Sequence, residues 1–176
     1  LLLRKTYGSL AICDQRSISM RRFYASSDQI SQQEIVLDEE ESKHLSRVLR
    51  LQIGDDVEVV DGAGNLYQAT ISEISKRSCR LKIDQKHCAD RGRSGLWMAV
   101  APTKNLNRWE WFLEKATELG IGRITPILCK RSERKVLKIE RQIRILKEAM
   151  KQSQRLHLPD LDELTELSRV IEEAKV

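Results

Sequence analysis

The chain has 176 residues, of which 40% are hydrophobic and 32% charged, and it carries a net charge of +5. This balance suits one large or two small domains folding in water, and no run approaches the ~20 apolar residues of a membrane span. No G-x-G-x-x-G, P-loop, H-E-x-x-H or G-x-S-x-G string occurs, which sets aside dinucleotide, P-loop, zinc-protease and α/β-hydrolase chemistry.

Residues 1–19 lack an initiator Met, and Met20 follows them. Translation is expected to begin at Met20, with the leader an upstream extension of the frame; a transit peptide is the alternative. After Met20, the strings RRFYA and EIVLD read as short strands. Asp38 followed by Glu41 resembles a capping box and opens a helix expected from Glu39 to Arg50. Its apolar stripe is Leu45, Val48 and Leu49. Three strands follow, with a hairpin turn at Asp61–Asn65 that contains Gly62 and Gly64. Tyr67, Ala69 and Ile71 alternate with polar residues, as do Cys79, Leu81 and Ile83. That period of two predicts antiparallel strands with one wet face, and hence a small β-barrel of the kind that often binds RNA.

A polar linker from Gln85 to Gly95 precedes a change in composition. Leu96–Ala101 is continuously apolar, as for a strand covered on both faces. Asn107 with Glu110 reads as a capping box for a helix carrying Trp109, Phe112, Leu113 and Ala116, with Gly120 as its C-cap. Arg123–Cys129 is a second strand, so strand, helix and strand form a βαβ unit with a parallel sheet. A helix from Lys138 to Arg155 turns Ile139, Ile143, Leu146 and Met150 to one face and Arg141, Arg144, Lys147, Lys151 and Arg155 to the adjoining one. Beyond Pro159, residues Asp162–Ala174 are expected to form one more helix, leaving a domain with too few strands to cover its helices.

Charge is segregated: residues 123–155 hold 11 basic groups against Glu133, Glu140 and Glu148. A polyanion partner accounts for this, and so does a solvated basic helix. Cys13, Cys79, Cys88 and Cys129 form no C-x-x-C pair and no histidines sit at zinc spacing, so no metal is expected and a reducing cytoplasm fits. Lys115 can pair with Glu114 or Glu118, without the secluded setting of a general base. The candidate RNA-binding residues are Arg21 and Arg22 on the first strand, His44, Arg47 and Arg50 on the first helix, and Lys130, Arg131, Arg134 and Lys135 in the loop after the second parallel strand. Such a loop lies at the sheet edge where open α/β folds bind ligands. Arg155, at the end of the basic helix face, joins them.

Several strings resemble one family. They are MRRFYA, His44-Leu45-Ser46-Arg47-Val48-Leu49-Arg50, the Asp61-Gly62 turn, Glu114-Lys115-Ala116-Thr117-Glu118-Leu119-Gly120, Ile124-Thr125-Pro126, Arg131-Ser132-Glu133-Arg134, and Gln152-Ser153-Gln154-Arg155 with Pro159. In this order, from Met20 to about Leu164, they are similar to the small-subunit ribosomal RNA methyltransferase E family. The resemblance implies a PUA-like RNA-binding β-barrel over residues 20–90 and the first part of a SPOUT-type α/β knot domain over 95–176. It also implies a homodimer that transfers a methyl group from S-adenosylmethionine to N3 of one uridine in 16S ribosomal RNA. The knot would supply a Gly-Pro-Glu-Gly-Gly-like loop and a Leu-Arg-x-Glu-Thr-like segment, and neither string is present. No cofactor-binding or catalytic residue is therefore carried over, and this stretch alone is expected to be inactive, binding neither the cofactor nor a dimer partner through the knot. The rival readings are a non-catalytic RNA-binding adaptor and a ribosome-assembly factor.

Overall fold

The computed structural model describes residues 21–75, 77–88 and 94–175, so the leader lies outside the described residues. The first layer is a five-stranded half-barrel of β1 (Arg22–Tyr24), β2 (Glu34–Leu37), β3 (Asp56–Val60), β4 (Asn65–Ile74) and β5 (Cys79–Cys88), ordered β1-β3-β4-β5-β2. The expected alternation is present: Tyr67, Ala69, Ile71, Cys79 and Leu81 are buried. They meet Phe23, Ile35, Leu37, Leu45, Val57 and Val59 in one core. Register shifts at Gln68/Ala69 and Ile71/Glu73 bend β4 across that core. The pairing is antiparallel except at one edge, where β1 runs parallel to β3 with Phe23 opposite Val59.

Asp38 caps α1 (Glu39–Lys43) by accepting from the Glu41 amide at 2.8 Å. The expected single helix to Arg50 does not form. From His44 to Val48 the chain widens into a π turn, and the Leu49 amide donates to the His44 carbonyl at 3.0 Å. The extra residue per turn rotates the apolar stripe. Leu45 stays buried and Leu49 packs partly against the core, but Val48 is 66% exposed.

The second layer contains β6 (Trp97–Val100), α2 (Leu106–Leu119), β7 (Arg123–Leu128), α3 (Ile139–Gln152), β8 (Asp160–Leu161), β9 (Thr165–Glu166) and α4 (Leu167–Glu173). Its four strands are parallel: β7 pairs with β6, with β8 at Arg123–Ile124 and with β9 at Ile127–Leu128. The single helix expected over Asp162–Ala174 is therefore one strand segment, β9, and a shorter helix, with a second segment, β8, just before it. Each segment has two residues, too few to leave a period in the sequence. The expected shortage of strands is eased accordingly. Strand β6 is not covered on both faces: it is an edge of the sheet and Ala99 is exposed.

The cap of α2 is Asn105, whose side chain accepts from the Asn107 amide at 3.0 Å; Asn107 itself lies inside the helix. Gly120 ends α2 at φ 82°, the left-handed conformation natural to glycine. Trp109, Leu113, Ala116, Ile121, Ile124 and Leu146 form the second core. Trp109 donates from Nε1 to Gln142 Oε1 at 3.2 Å, which satisfies two buried polar groups at once. Arg123 joins the strands, pairing through Nε with Asp162 at 2.8 Å and through Nη1 with Glu173, while its guanidinium lies 4.5 Å above the Trp97 ring.

A buried ion pair and a turn are among the contacts that join the layers. Lys151 of α3 pairs with Glu41 of α1 at 2.6 Å, with side chains only 9% and 10% exposed. The turn at 61–64 receives the segment after α3: the Gly64 amide donates to the Leu156 carbonyl at 2.9 Å and the Leu158 amide to the Gly62 carbonyl at 2.8 Å. The two glycines do more than make a hairpin. A Cβ at Gly64 would sit 2.5 Å from His157 Cε1.

Candidate nucleic-acid interface

The basic face expected on α3 is mostly occupied by the protein itself. Arg141 pairs with Glu110 at 2.7 Å, Arg144 with Glu40 at 3.2 Å, and Lys151 with Glu41 and Glu148. Lys147 Nζ lies 4.0 Å from the centre of the Tyr24 ring. Arg155 donates from Nε to the Glu118 carbonyl at 2.8 Å and lays its guanidinium over Gly120. Part of the charge segregation seen in the sequence is thus complementarity between α3 and the acidic first turn of α1, through Arg144–Glu40 and Lys151–Glu41.

Lys151 and Glu41 respond differently to this burial. Desolvation pulls the Lys151 ammonium down, but Glu41 and Glu148 outweigh it and hold its pKa above the ordinary value. Glu41 is raised, because burial costs its carboxylate more than Lys151 returns. Its Oε2 has no partner among the described residues, which fits that direction.

The candidate residues divide by what they touch. Arg22 gives Nε and Nη2 to one Glu58 oxygen, at 2.9 and 2.6 Å, leaving Nη1 without a partner among the described residues. Arg134 spans two loops, donating to the carbonyls of Thr103 and Lys104 at 3.3 and 2.6 Å. These two arginines, with Arg155, are built into the fold. Arg21, Arg47, Arg50, Lys130, Arg131 and Lys135 are exposed and make no ion pair with another described residue. Arg50 adopts φ 55°, at the point where the chain leaves the π turn.

Position brings some candidates together and separates others. Arg21, Arg22 and His44 line one polar cleft of about 420 Å³ with Glu148, Lys151, Gln152 and Gln154 of the α3 end. His44 and Arg47 share a second hollow on the helix face with Glu39, Glu40, Lys43 and Val48. Lys135 and Arg134 line a third, beside Lys104, Glu133 and Val136. Gln152 and Gln154 belong to the Gln152-Ser153-Gln154-Arg155 string, and nothing local to glutamine marks them as site residues. Lys115 bonds both Glu114 and Glu118 at 2.9 Å on an open helix face, so no secluded base is formed there. Among the described residues, no group of three His, Cys, Asp or Glu side chains could hold a metal ion, and no helix is long and apolar enough to cross a membrane.

Comparison with known proteins places this geometry. A family model described as an RNA methyltransferase PUA domain matches residues 37–84, and one described as an RNA methyltransferase domain matches residues 92–176. The chain is 31% identical over 140 residues to the ribosomal RNA small subunit methyltransferase E of Synechocystis, covering 78% of this chain and 46% of that protein. It is 28% identical over 142 residues to the protein of the same name from Rickettsia conorii, covering 80% of this chain and 58% of that one. The chain thus spans roughly half the length of these relatives. A probable rRNA-methyltransferase structure from Porphyromonas gingivalis superposes with a TM-score of 0.76 at 34% identity, covering 86% of this chain and 63% of that one. A Legionella pneumophila methyltransferase, solved with S-adenosylmethionine bound, superposes with a TM-score of 0.77 at 25% identity, covering 90% and 68% of the two chains.

Proposed function

Because the chain belongs to the ribosomal RNA small subunit methyltransferase E family, we propose that it is the RNA-holding part of a cytoplasmic, homodimeric S-adenosylmethionine-dependent enzyme that methylates N3 of a uridine in 16S ribosomal RNA. The observation that carries this reading is a PUA-like half-barrel locked onto a parallel α/β layer, with unpaired cations on both: Arg21, Arg47 and Arg50 on the first, Lys130, Arg131 and Lys135 on the second. Cations on two locked layers hold an RNA backbone in one orientation without reading its sequence.

The described residues do not fit the cofactor. S-adenosylmethionine carries a sulfonium cation, and the hollow beyond β6 and β7 is rimmed by Lys104, Arg134 and Lys135 against Glu133 alone. No glycine lines that hollow, so no methyl-transfer step is assigned to these residues. Their contribution to the chemistry is positional and electrostatic. A uridine N3–H is about as acidic as a phenol, with a pKa of roughly 10, so methylation requires its anion to be favoured. Cations of the 130–135 loop, placed near that base, lower the cost of the anion.

The test is transfer of labelled methyl groups from S-adenosylmethionine to unmodified small-subunit RNA by the whole protein. Label at N3 of one uridine supports the reading. RNA binding without any label overturns the enzyme in favour of an adaptor.

A further inference from the structure

The cleft between β1 and the end of α3 is built for more than phosphate attraction. Its floor consists of two satisfied ion pairs, Arg22–Glu58 at 2.6 Å and Lys151–Glu148 at 2.7 Å. Lys151 is shared between Glu148 and the buried Glu41, and Arg21 is the one cation of the lining without an ion pair to another described residue. The exposed rim adds the imidazole of His44 and the side-chain amides of Gln152 and Gln154. Neither amide is engaged by another described residue. A single charge suits one phosphate, and two free amides, each able to donate and accept, suit the edge of a nucleobase. The volume of about 420 Å³ falls within the range of small-ligand pockets.

A second observation is the backbone of Gln154. It follows α3 at φ 57°, a left-handed conformation that side chains other than glycine adopt only under strain. Gly120 holds the corresponding position after α2. The fold therefore uses glycine at one helix end and accepts strain at the other, where the side chain lines the cleft. Backbone strain of this kind gathers at ligand sites.

We propose that this cleft holds one unpaired nucleotide of the RNA, distinct from the base that is methylated. Gln152 and Gln154 pair with its base edge, and Arg21 holds its phosphate. Unpaired nucleotides are how proteins read RNA sequence, because their edges are free of a partner strand. The proposal rests on the RNA-binding reading above and adds to it a sequence-reading element.

The test is fluorescence anisotropy of the 176-residue chain with labelled single-stranded oligo(A), oligo(C), oligo(G) and oligo(U), at two salt concentrations. The wild type is expected to prefer one base. Gln154→Gly relieves the strain, so its Tm should stay level or rise, yet it should lose about tenfold affinity for the preferred RNA and flatten the preference. Gln152→Ala should flatten the preference in the same way. Arg21→Ala should weaken all four RNAs equally and lower the salt slope by about one. Binding without base preference, or an unchanged preference in both glutamine variants, overturns the proposal. If in that case Arg47→Ala and Arg131→Ala still weaken binding, the RNA-binding reading stands alone. If the wild type binds none of these RNAs, both fall.

Discussion

Replacing Lys151 by Met tests whether the two layers are held together by their buried ion pair. The substitution keeps the length of the side chain and removes its charge, leaving Glu41 buried without its counter-ion and with Oε2 already unpartnered among the described residues. Removing one member of a buried pair costs about 3–5 kcal/mol while the remaining charge persists. Glu41 can escape part of that cost by taking a proton. Burial already raises its pKa with Lys151 in place, and without the lysine the pKa rises further. A carboxyl whose folded pKa exceeds its unfolded one lends stability below the unfolded value, and that stability is lost as pH climbs through the folded value. The variant should therefore come closest to wild type near pH 5 and fall furthest behind near pH 8. A loss of about 3 kcal/mol at pH 8 corresponds, for a chain of this size, to a fall in Tm of roughly 6–12 °C. Thermal melts followed by circular dichroism at both pH values measure it. The double variant Lys151→Met with Glu41→Gln should recover most of the loss. A single variant that melts with wild type at pH 8, or whose deficit grows in acid, would refute the reasoning.

Three further outcomes follow from the same contacts. Gly64→Val places a branched side chain at φ +102° against the His157 ring, where even a Cβ comes to 2.5 Å, so urea unfolding should show a loss of about 2–3 kcal/mol. Gln142→Leu strips the buried Trp109 Nε1–H of its acceptor, and chemical denaturation should report a loss of about 1–3 kcal/mol. Arg134→Ala frees the 103–104 loop from its guanidinium; protease digestion should cut there faster, while the salt slope of RNA binding stays at the wild-type value, in contrast to Arg131→Ala.

The strands of the half-barrel were legible because each buries one face, and a period of two survives in Tyr67, Ala69 and Ile71. Helix α2 was legible for the analogous reason, although its cap shifted from Asn107 to Asn105, two asparagines in similar sequence settings. The π turn was not legible. His44–Val48 has ordinary helical composition, and no residue in it marks the wider turn. Strands β8 and β9 escaped because pairing with β7, not local pattern, defines them. At the candidate site, the sequence identified cations but not their partners. Arg22, Arg134 and Arg155 look the same in a string as Arg21 and Arg131, and only the fold shows which are engaged by Glu58, by loop carbonyls or by a helix end.

That distinction sets a limit on how strongly salt can act on RNA binding through the 123–155 segment and the three first-layer candidates. Seven of the 11 basic residues between 123 and 155 are engaged within the protein: Arg123, Arg134, Arg141, Arg144, Lys147, Lys151 and Arg155. Lys130, Arg131, Lys135 and Lys138 remain, joined by Arg21, Arg47 and Arg50 on the first layer. Each contact of a cation with a single-strand phosphate contributes about 0.7 to the slope of log K against log salt, so seven such contacts give at most about −5. Counting every basic residue of the helix and loop as free, together with those three, would give roughly −10 instead. Anisotropy titrations with single-stranded RNA from 50 to 300 mM potassium chloride separate the two values. A slope near −10 would mean that the pairs on α3 open to let RNA in. A slope of −5 or shallower means that α3 spends its charge on holding the half-barrel in place, and that RNA is met by the cations the fold leaves unpaired.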